Sequence, residues 1–283
     1  MWFIWAIASA LVFGLASFFM KVNSFWSLPT MSFLTGLYAS GTAGFLLVAI
    51  LEHSLEINVW ILIAGVVIGL GSTYGNLLFM RALEYGPASL TSPLVNTNIL
   101  LIVLFGVLLY GEQLSVWQYS GIALVCVAIF TLPFDPNEGI SIKGNVWYAL
   151  VFLATALMFL RNGGLKATEE ASLANTPILM VAYAFGLLVS IILVRQSKEK
   201  SSAGKGKGFA WGLVAGLFSF GGMQLYAIAL RDGPVSIVSP LFAAHALFVA
   251  VLSMLYLKER ISKYQAASLV LVVIGIVLLR GEG

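Results

Sequence analysis

Apolar residues run along this chain in blocks of about twenty, separated by short polar stretches. A block of that length matches the ~30 Å hydrocarbon core of a bilayer at 1.5 Å of rise per helical residue. We therefore predict an all-α membrane protein with ten transmembrane helices, here numbered segments 1 to 10. The segments cover residues 2–20, 31–51, 59–80, 88–110, 116–133, 145–165, 174–195, 209–230, 235–257 and 263–280.

The composition supports this prediction and narrows the class of protein. Of 283 residues, 60% are hydrophobic and 10% are charged, and the mean hydropathy is +0.99, whereas soluble domains carry about 25% charged residues. The sequence has no phosphate-binding loop, zinc-ligand spacing or protease motif. We expect no enzyme activity, no cofactor and no metal. The expected partners are a small-molecule substrate and membrane lipid, with no nucleic acid or soluble partner.

An internal repeat is the strongest signal in the sequence. Shifting the chain by 147 residues aligns 65–132 with 212–279 without a gap, and 24 of the 68 positions are identical. The identities include Gly-Pro pairs, Ser-Pro pairs and one acid (86–87 with 233–234, 92–93 with 239–240, and Glu112 with Glu259). A shift of 145 aligns segment 1 with segment 6, pairing Trp2 with Trp147 and Lys21 with Lys166. We therefore predict two five-helix repeats, 1–133 and 145–283, joined by an inter-repeat loop, 134–144.

The number of helices in each half predicts their symmetry. A half that crosses the membrane five times ends on the opposite side, so the second half enters upside down. Inverted repeats of this kind are typical of secondary transporters, which alternate access around a central site at the repeat interface.

Each repeat has a Gly-Pro and then a Ser-Pro pair opening its fourth helix, followed by a short link at 111–115 or 258–262. In these features the whole chain resembles the EamA-type transporters of the drug/metabolite transporter superfamily. The resemblance implies transport of a small metabolite through a central cavity lined mainly by segments 1, 3, 4, 6, 8 and 9. The related small multidrug exporters carry a glutamate within their first helix, whereas segment 1 here has no acid.

Two polar residues near the middle of their segments are candidate substrate ligands. Asn98 and His245 occupy equivalent repeat positions, each five residues after the proline of its Ser-Pro pair. The alternative is a structural role as interhelical hydrogen-bonding groups. We predict that Asn96, Trp5, Phe13 and Tyr226 line the cavity with them.

Arg161 is a further candidate with two interpretations. Facing the cavity, its guanidinium would hold a carboxylate or phosphate in bidentate fashion. Snorkelling to the membrane surface, it would act as an anchor, and the nearby Lys166 favours this second interpretation. The equivalent position in the first repeat is Ala16, so this cation has no counterpart.

Prolines and glycines at repeated positions predict hinges and close helix packing. Pro93 and Pro240 each remove a backbone donor and are expected to kink their segments. Glycines in segments 3 and 8 let neighbouring helices approach closely. These are Gly65, Gly69, Gly75, Gly212, Gly216 and Gly222.

The twelve acidic residues lie in predicted loops or at helix ends, which argues against a fixed-charge site for cations. Aromatic residues of segments 1 and 6 would still permit a cation–π site, or they face lipid. We expect a uniporter, or a carrier coupled weakly through His245. The alternative function is a lipid or lipid-carrier flippase with a lateral opening.

Lysine and arginine residues predict the orientation in the cell membrane. Loops after odd-numbered segments carry eleven, and the other side carries Arg161, Lys166, Arg231 and Arg280. The positive-inside rule places the eleven in the cytoplasm and both termini outside.

Overall fold

The computed structural model describes residues 1–86, 88–131, 142, 144–196, 204–257 and 263–280, without the side chains of residues 24, 83, 84, 88, 89, 92 and 93. These residues form helices and no strands. Most of the predicted inter-repeat loop lies outside them. The helices are α1 (Trp2–Phe25), α2 (Thr30–Leu51), α3 (Val59–Tyr85), α4 (Ala88–Asn96), α5 (Asn98–Leu109), α6 (Val116–Thr131), α7 (Val146–Glu170), α8 (Asn175–Gln196), α9 (Lys205–Asp232), α10 (Val235–Ala243), α11 (His245–Leu257) and α12 (Lys263–Leu279).

The apolar helices correspond to the predicted segments. Within the described residues, seven stretches are long and apolar enough to cross a membrane, and three shorter apolar helices accompany them at Leu94–Leu109, Val116–Thr131 and Lys263–Leu279. The chain is thus a multi-pass helical membrane protein. Segment 4 is divided into α4 and α5, and segment 9 into α10 and α11.

Both divided segments break at equivalent positions, Thr97 and Ala244, which are 147 residues apart. The Ala244 amide donates to the carbonyls of both Pro240 and Leu241, at 3.2 Å each, and the Thr97 amide donates to Leu94 O, also at 3.2 Å. The bonds to Leu241 and Leu94 reach three residues back, which tightens the turn and ends the α-helix. Pro240 itself lies inside α10, so the break follows the proline by one turn. In the first half, the equivalent Pro93 lies within α4, and its side chain is outside the described part.

Helices of the first half pack mainly on helices of the second. The long helix α1 packs on α9, and its counterpart α7 packs on α3. Likewise α2 packs on α9, and its counterpart α8 packs on α3. Two helices pack on their own counterparts, α2 on α8 and α6 on α12. The core therefore lies between the two halves of the chain.

The six predicted packing glycines lie at close helix contacts, and the contacts correspond between the halves. Gly65 faces Ile178 and Val181 of α8, while Gly212 faces Phe33 and Gly36 of α2. Each of these partners is 145 residues from its equivalent. The same relation holds for Gly69 against Ala182 and Gly216 against Leu37, and for Gly75 against Met158 and Gly222 against Phe13. A Cβ at most of these positions would meet backbone or side-chain atoms within about 3 Å.

The link between α5 and α6 ties the first half to α10. Gly111 adopts a positive φ of 63°, which a glycine accommodates without strain. The following Glu112 accepts hydrogen bonds from the backbone amides of Val235 and Ser236, at 2.7 and 2.9 Å, and from the Ser236 hydroxyl at 2.5 Å. A carboxylate at this position satisfies the free amides at the N-terminus of α10 and interacts favourably with its dipole.

Candidate functional site

A small cavity lies among the six long helices α1, α2, α3, α7, α8 and α9. Its volume is about 30 Å³, which is room for about two water molecules. Polar side chains from five of these helices, α2, α3, α7, α8 and α9, reach it, while the other lining groups are apolar. The lining residues are Phe13, Ala16, Met20, Leu34, Leu37, Tyr38, Ile68, Ser72, Asn76, Arg161, Leu179, Ala182, Tyr183, Ser219 and Met223.

Most of the lining residues occur in pairs at equivalent repeat positions. Tyr38 pairs with Tyr183, and Ser72 pairs with Ser219. The remaining pairs are Leu34 with Leu179, Leu37 with Ala182, Ala16 with Arg161, and Asn76 with Met223. Because both members of each pair contact the same cavity, the cavity lies where the two halves meet.

The two cavity-lining hydroxyl groups of the second half, those of Tyr183 and Ser219, form a hydrogen bond with each other. The Tyr183 hydroxyl lies 2.6 Å from Ser219 Oγ, and both side chains are buried. In the first half, Ser72 and Asn76 lie one turn apart on α3, and neither side chain hydrogen-bonds to another described residue. The donors and acceptors of Ser72 and Asn76 thus face the cavity without a partner among the described side chains.

Arg161 is buried, with 9% of its surface exposed, and lines the cavity. Its Nε donates to Asn162 Oδ1 at 2.9 Å, and its Cζ lies 5.9 Å from the centre of the Phe13 ring. A snorkelling arginine would place its guanidinium at the surface, so the structure favours the cavity-facing interpretation. Lys166, five residues further on, is also buried and pairs with Glu170 at 2.7 Å and with Glu112 at 4.0 Å.

Asn98 and His245 make matching contacts at the two helix breaks. Asn98 Nδ2 donates to the carbonyl of Val95 at 2.7 Å, and His245 Nδ1 lies 2.8 Å from the carbonyl of Phe242. Each contact reaches three residues back, across the break. The Asn98 Oδ1 atom is buried and has no hydrogen-bond partner among the described residues. Neither residue lines the small cavity, and each contact stays within its own divided segment, so neither is a hydrogen bond between two membrane segments.

His245 is nevertheless close to the cavity through Phe13. The two ring centres lie 5.1 Å apart in an edge-to-face arrangement, and both rings pack on Phe242. Tyr226 is fully buried behind Phe242, and its hydroxyl lies 2.8 Å from Ser239 Oγ. Phe13 therefore contacts Arg161 on the cavity side and His245 at the break of segment 9.

The structure places the remaining candidates elsewhere. Trp5 is not among the lining residues and is 39% exposed on the outer surface of α1. Asn96 is half-buried at the end of α4, away from the cavity lining. Of the aromatic residues of segments 1 and 6, Phe13 lines the cavity, whereas Tyr148 and Phe152 are exposed. The exposure of Tyr148 and Phe152 is that of lipid-facing rings.

A family model matches the chain in two parts, over residues 1–133 and 142–281, and its description is the EamA-like transporter family. The chain belongs to this family.

Individual EamA relatives are distant. An uncharacterized transporter from Archaeoglobus fulgidus is 25% identical over 206 residues, which is 72% of this chain and 70% of the relative. A second, from Methanothermobacter thermautotrophicus, is 25% identical and matches 76% of this chain and 63% of its own length. The probable purine permease 5 of Arabidopsis thaliana is 24% identical and matches 76% of this chain and 65% of its own length. The matches thus cover about two thirds of these relatives.

The fold of this EamA protein is also that of a solved crystal structure. The two superpose with a TM-score of 0.79 over 99% of this chain and 95% of the other, at 16% identity. The likeness extends through both halves of the chain.

The EamA resemblance and the structure differ in which segments reach the cavity. Segments 2 and 7, as α2 and α8, contribute Tyr38 and Tyr183, while the described side chains of the divided segments 4 and 9 do not line it. Sequence reasoning also missed Ser72, Ser219 and Asn76. The pairing of identical polar residues between the halves was the available signal, since Tyr38 matches Tyr183 and Ser72 matches Ser219.

Proposed function

We propose that this EamA protein is a secondary transporter that moves a small polar or amphipathic metabolite across the membrane by alternating access. The site is the central cavity, and its architecture is ten membrane spans in two inverted five-helix repeats. The observation that carries the proposal is the pairing of cavity residues from equivalent repeat positions.

An inverted arrangement follows from the pairing together with the number of spans. Residues related by a two-fold axis lie at equal distances from it, so a cavity lined by such pairs is centred on the axis. With five spans in each half, the axis lies in the membrane plane. A site on such an axis is equally reachable from either side when the halves exchange conformations, and this is the geometry that alternating access requires.

The observed cavity represents a closed state. Ligand sites for small molecules have volumes of roughly 300–1,000 Å³, far above the volume observed here. Movement of the helices must therefore open it. The breaks at Thr97 and Ala244 are suitable points, because a broken helix absorbs rotation with little loss of hydrogen bonding. Pro93 and Pro240, one turn before each break, would act as the hinges.

Uptake by proteoliposomes tests the proposal. The panel contains amino acids, amines, organic acids, sugars and, because of the Arabidopsis relative's description, purines. Substrate-loaded vesicles should show counterflow, which requires a carrier that alternates between two states. A double variant that places cysteines on α1 and α9 across the cavity should stop counterflow when crosslinked and recover on reduction. Counterflow unaffected by the crosslink would contradict a site between these helices.

A lipid flippase is the second candidate, favoured by an open apolar groove between α3 and α7. The groove has a volume of about 540 Å³, and Trp60, Val67 and Gly164 help to line it. Ile68 lies at its inner end and also lines the central cavity. Scrambling of fluorescent phospholipids by the purified protein tests this alternative, and Ile68→Trp should block it. Solute counterflow without scrambling favours the metabolite transporter.

A further inference from the structure

The guanidinium of Arg161 lies at the cavity without a compensating acid. Among the described residues it forms no ion pair, and its hydrogen bond from Nε to Asn162 leaves the two terminal amino groups free of protein acceptors. Phe13 provides the face of a ring at 5.9 Å, which attracts a cation but accepts no hydrogen bond in the plane of the guanidinium. A buried charge of this kind is unfavourable unless an opposite charge joins it.

Close packing holds Arg161 in this position. Gly71 of α3 lies against the backbone of α7, where an added Cβ would be 2.6 Å from Leu157 O and 2.8 Å from Arg161 N. The absence of a side chain at Gly71 brings the two helices together. Arg161 therefore extends past α3 into the cavity, beside Ser72 and Asn76.

The differences between the two halves point to the same side of the cavity. Most lining pairs are similar in polarity, but two are not: Arg161 corresponds to Ala16, and Asn76 corresponds to Met223. Both polar members lie on the α3–α7 side. Asn76 and Ser72 add an amide and a hydroxyl, and neither side chain hydrogen-bonds to another described residue. The cavity thus has a cationic, donor-rich side at α3 and α7, while Met20, Met223 and aromatic rings are among its other lining groups.

Building on the proposed function, we infer that the transported solute carries an anionic group, a carboxylate or a phosphate, which Arg161 binds with Asn76 and Ser72. A guanidinium presents two parallel N–H groups that match two oxygens of either anion. The apolar remainder of the solute lies against Met20, Met223 and Phe13. The solute therefore brings the counter-charge that the described protein lacks at this position.

Thermal stability of the full-length protein in detergent tests the inference. The probes are acetate, lactate, benzoate and indole-3-acetate, each compared with its neutral amide. Glycerol 3-phosphate and inorganic phosphate form the phosphate arm, and adenine and choline are the neutral and cationic comparisons. The variants are Arg161→Gln, Arg161→Lys and Asn76→Met, the last of which copies the equivalent residue of the other half. Arg195→Gln, which changes an exposed arginine at the end of α8, is the matched control.

We expect at least one anion to stabilise the wild type and Arg195→Gln, while the neutral compound matched to it, the amide of a carboxylate or glycerol for glycerol 3-phosphate, does not. Binding should weaken roughly ten- to hundredfold in Arg161→Gln, and less in Arg161→Lys and Asn76→Met, which keep the charge. Stabilisation by phosphates alone assigns the anion as phosphate. If Arg161→Gln does not fold, the two milder variants provide the same comparison.

The inference is overturned if no anion from either arm binds, if amides bind as well as acids, or if anion binding is unchanged in all three cavity variants. Uptake is measured separately. Anion binding without uptake leaves the inference standing and removes the proposed transport function. Uptake of adenine or choline without anion binding supports the proposed transport function and overturns the inference of an anionic solute.

Discussion

Tyr38 of α2 and Tyr183 of α8 contact each other edge to face, with ring centres 5.6 Å apart and planes at 70°. Each ring also lies against a glycine of the other helix, Tyr38 against Gly186 and Tyr183 against Gly41. The two tyrosines and the two glycines are 145 residues apart in the sequence. The centre of the bundle is thus built from a reciprocal pair of contacts, and both rings line the cavity.

The two tyrosines nevertheless differ in their hydrogen bonds, and this difference is testable. Tyr183→Phe removes the hydroxyl that contacts Ser219 and leaves the buried serine without this partner. We expect a loss of about 1 kcal/mol in the free energy of unfolding, measured by unfolding in detergent. Tyr38→Phe is the matched control, since its hydroxyl has no side-chain hydrogen bond within the described residues, and it should cost about half as much or less. Equal losses would contradict this assignment.

Glu112 should contribute more to stability than a neighbouring acid. Glu112→Ala removes three hydrogen bonds at the N-terminus of α10, and we expect a loss of about 1–2 kcal/mol. Glu170→Ala removes the nearer of the two acids that pair with Lys166, at 2.7 Å against 4.0 Å for Glu112, but the Glu170 side chain is 46% exposed. The expected loss there is at most about 0.5 kcal/mol. Chemical unfolding in detergent measures both, and a larger effect of Glu170→Ala would exclude capping as the main role of Glu112.

Gly71→Ala should separate α3 from α7. The added methyl group meets backbone atoms of Leu157 and Arg161, which cannot move away independently of the helix. We expect a loss of roughly 1–3 kcal/mol together with weaker solute binding. Gly206→Ala, where a Cβ meets nothing within 4 Å, is the control and should be neutral or stabilising by up to about 1 kcal/mol. Wild-type binding in Gly71→Ala would show that the close approach does not position Arg161.

The correspondence of Asn98 and His245 predicts which substitutions the helix break tolerates. His245→Asn copies the residue at the equivalent break and retains a donor for the carbonyl of Phe242, as Asn98 does for Val95. We expect His245→Asn to fold and transport, whereas His245→Ala should lose both stability and activity. Because a uniporter is expected, an imposed pH gradient should drive little uptake by the wild type. Strong pH-driven uptake that persists in His245→Asn would mean that another group carries the proton.

The burial of two basic side chains strengthens the charge difference from which the orientation is predicted. Arg161 and Lys166 are enclosed in the bundle, so the side opposite the basic loops keeps only Arg231 and Arg280 of its four cations. In a Cys126→Ala background, an impermeant thiol reagent on intact cells should label a cysteine at Glu56, which lies on an exposed loop. A cysteine at Ser202, outside the described residues, should be protected. The opposite labelling pattern would place both termini in the cytoplasm.

The sequence by itself determined the helical segments and the repeat. Twenty-residue apolar blocks and a constant shift of 147 or 145 residues can be recognised without knowledge of packing. Once the structure showed that one residue lines the cavity, the shift identified its equivalent in the other half. Gly65 and Gly212 also followed from the sequence, because a glycine repeated in both halves indicates a contact repeated in both halves.

The tertiary structure alone decided which face of each helix points inward. In water, an amphipathic pattern would identify that face, but in a membrane the lipid and the protein interior are both apolar. Segment 1 illustrates this: Trp5 and Phe13 are similar in chemistry, yet the first is exposed and the second lines the cavity. The same ambiguity left Arg161 between two interpretations. Its direction depends on the rotation of α7, which is fixed by contact with Gly71 of another helix.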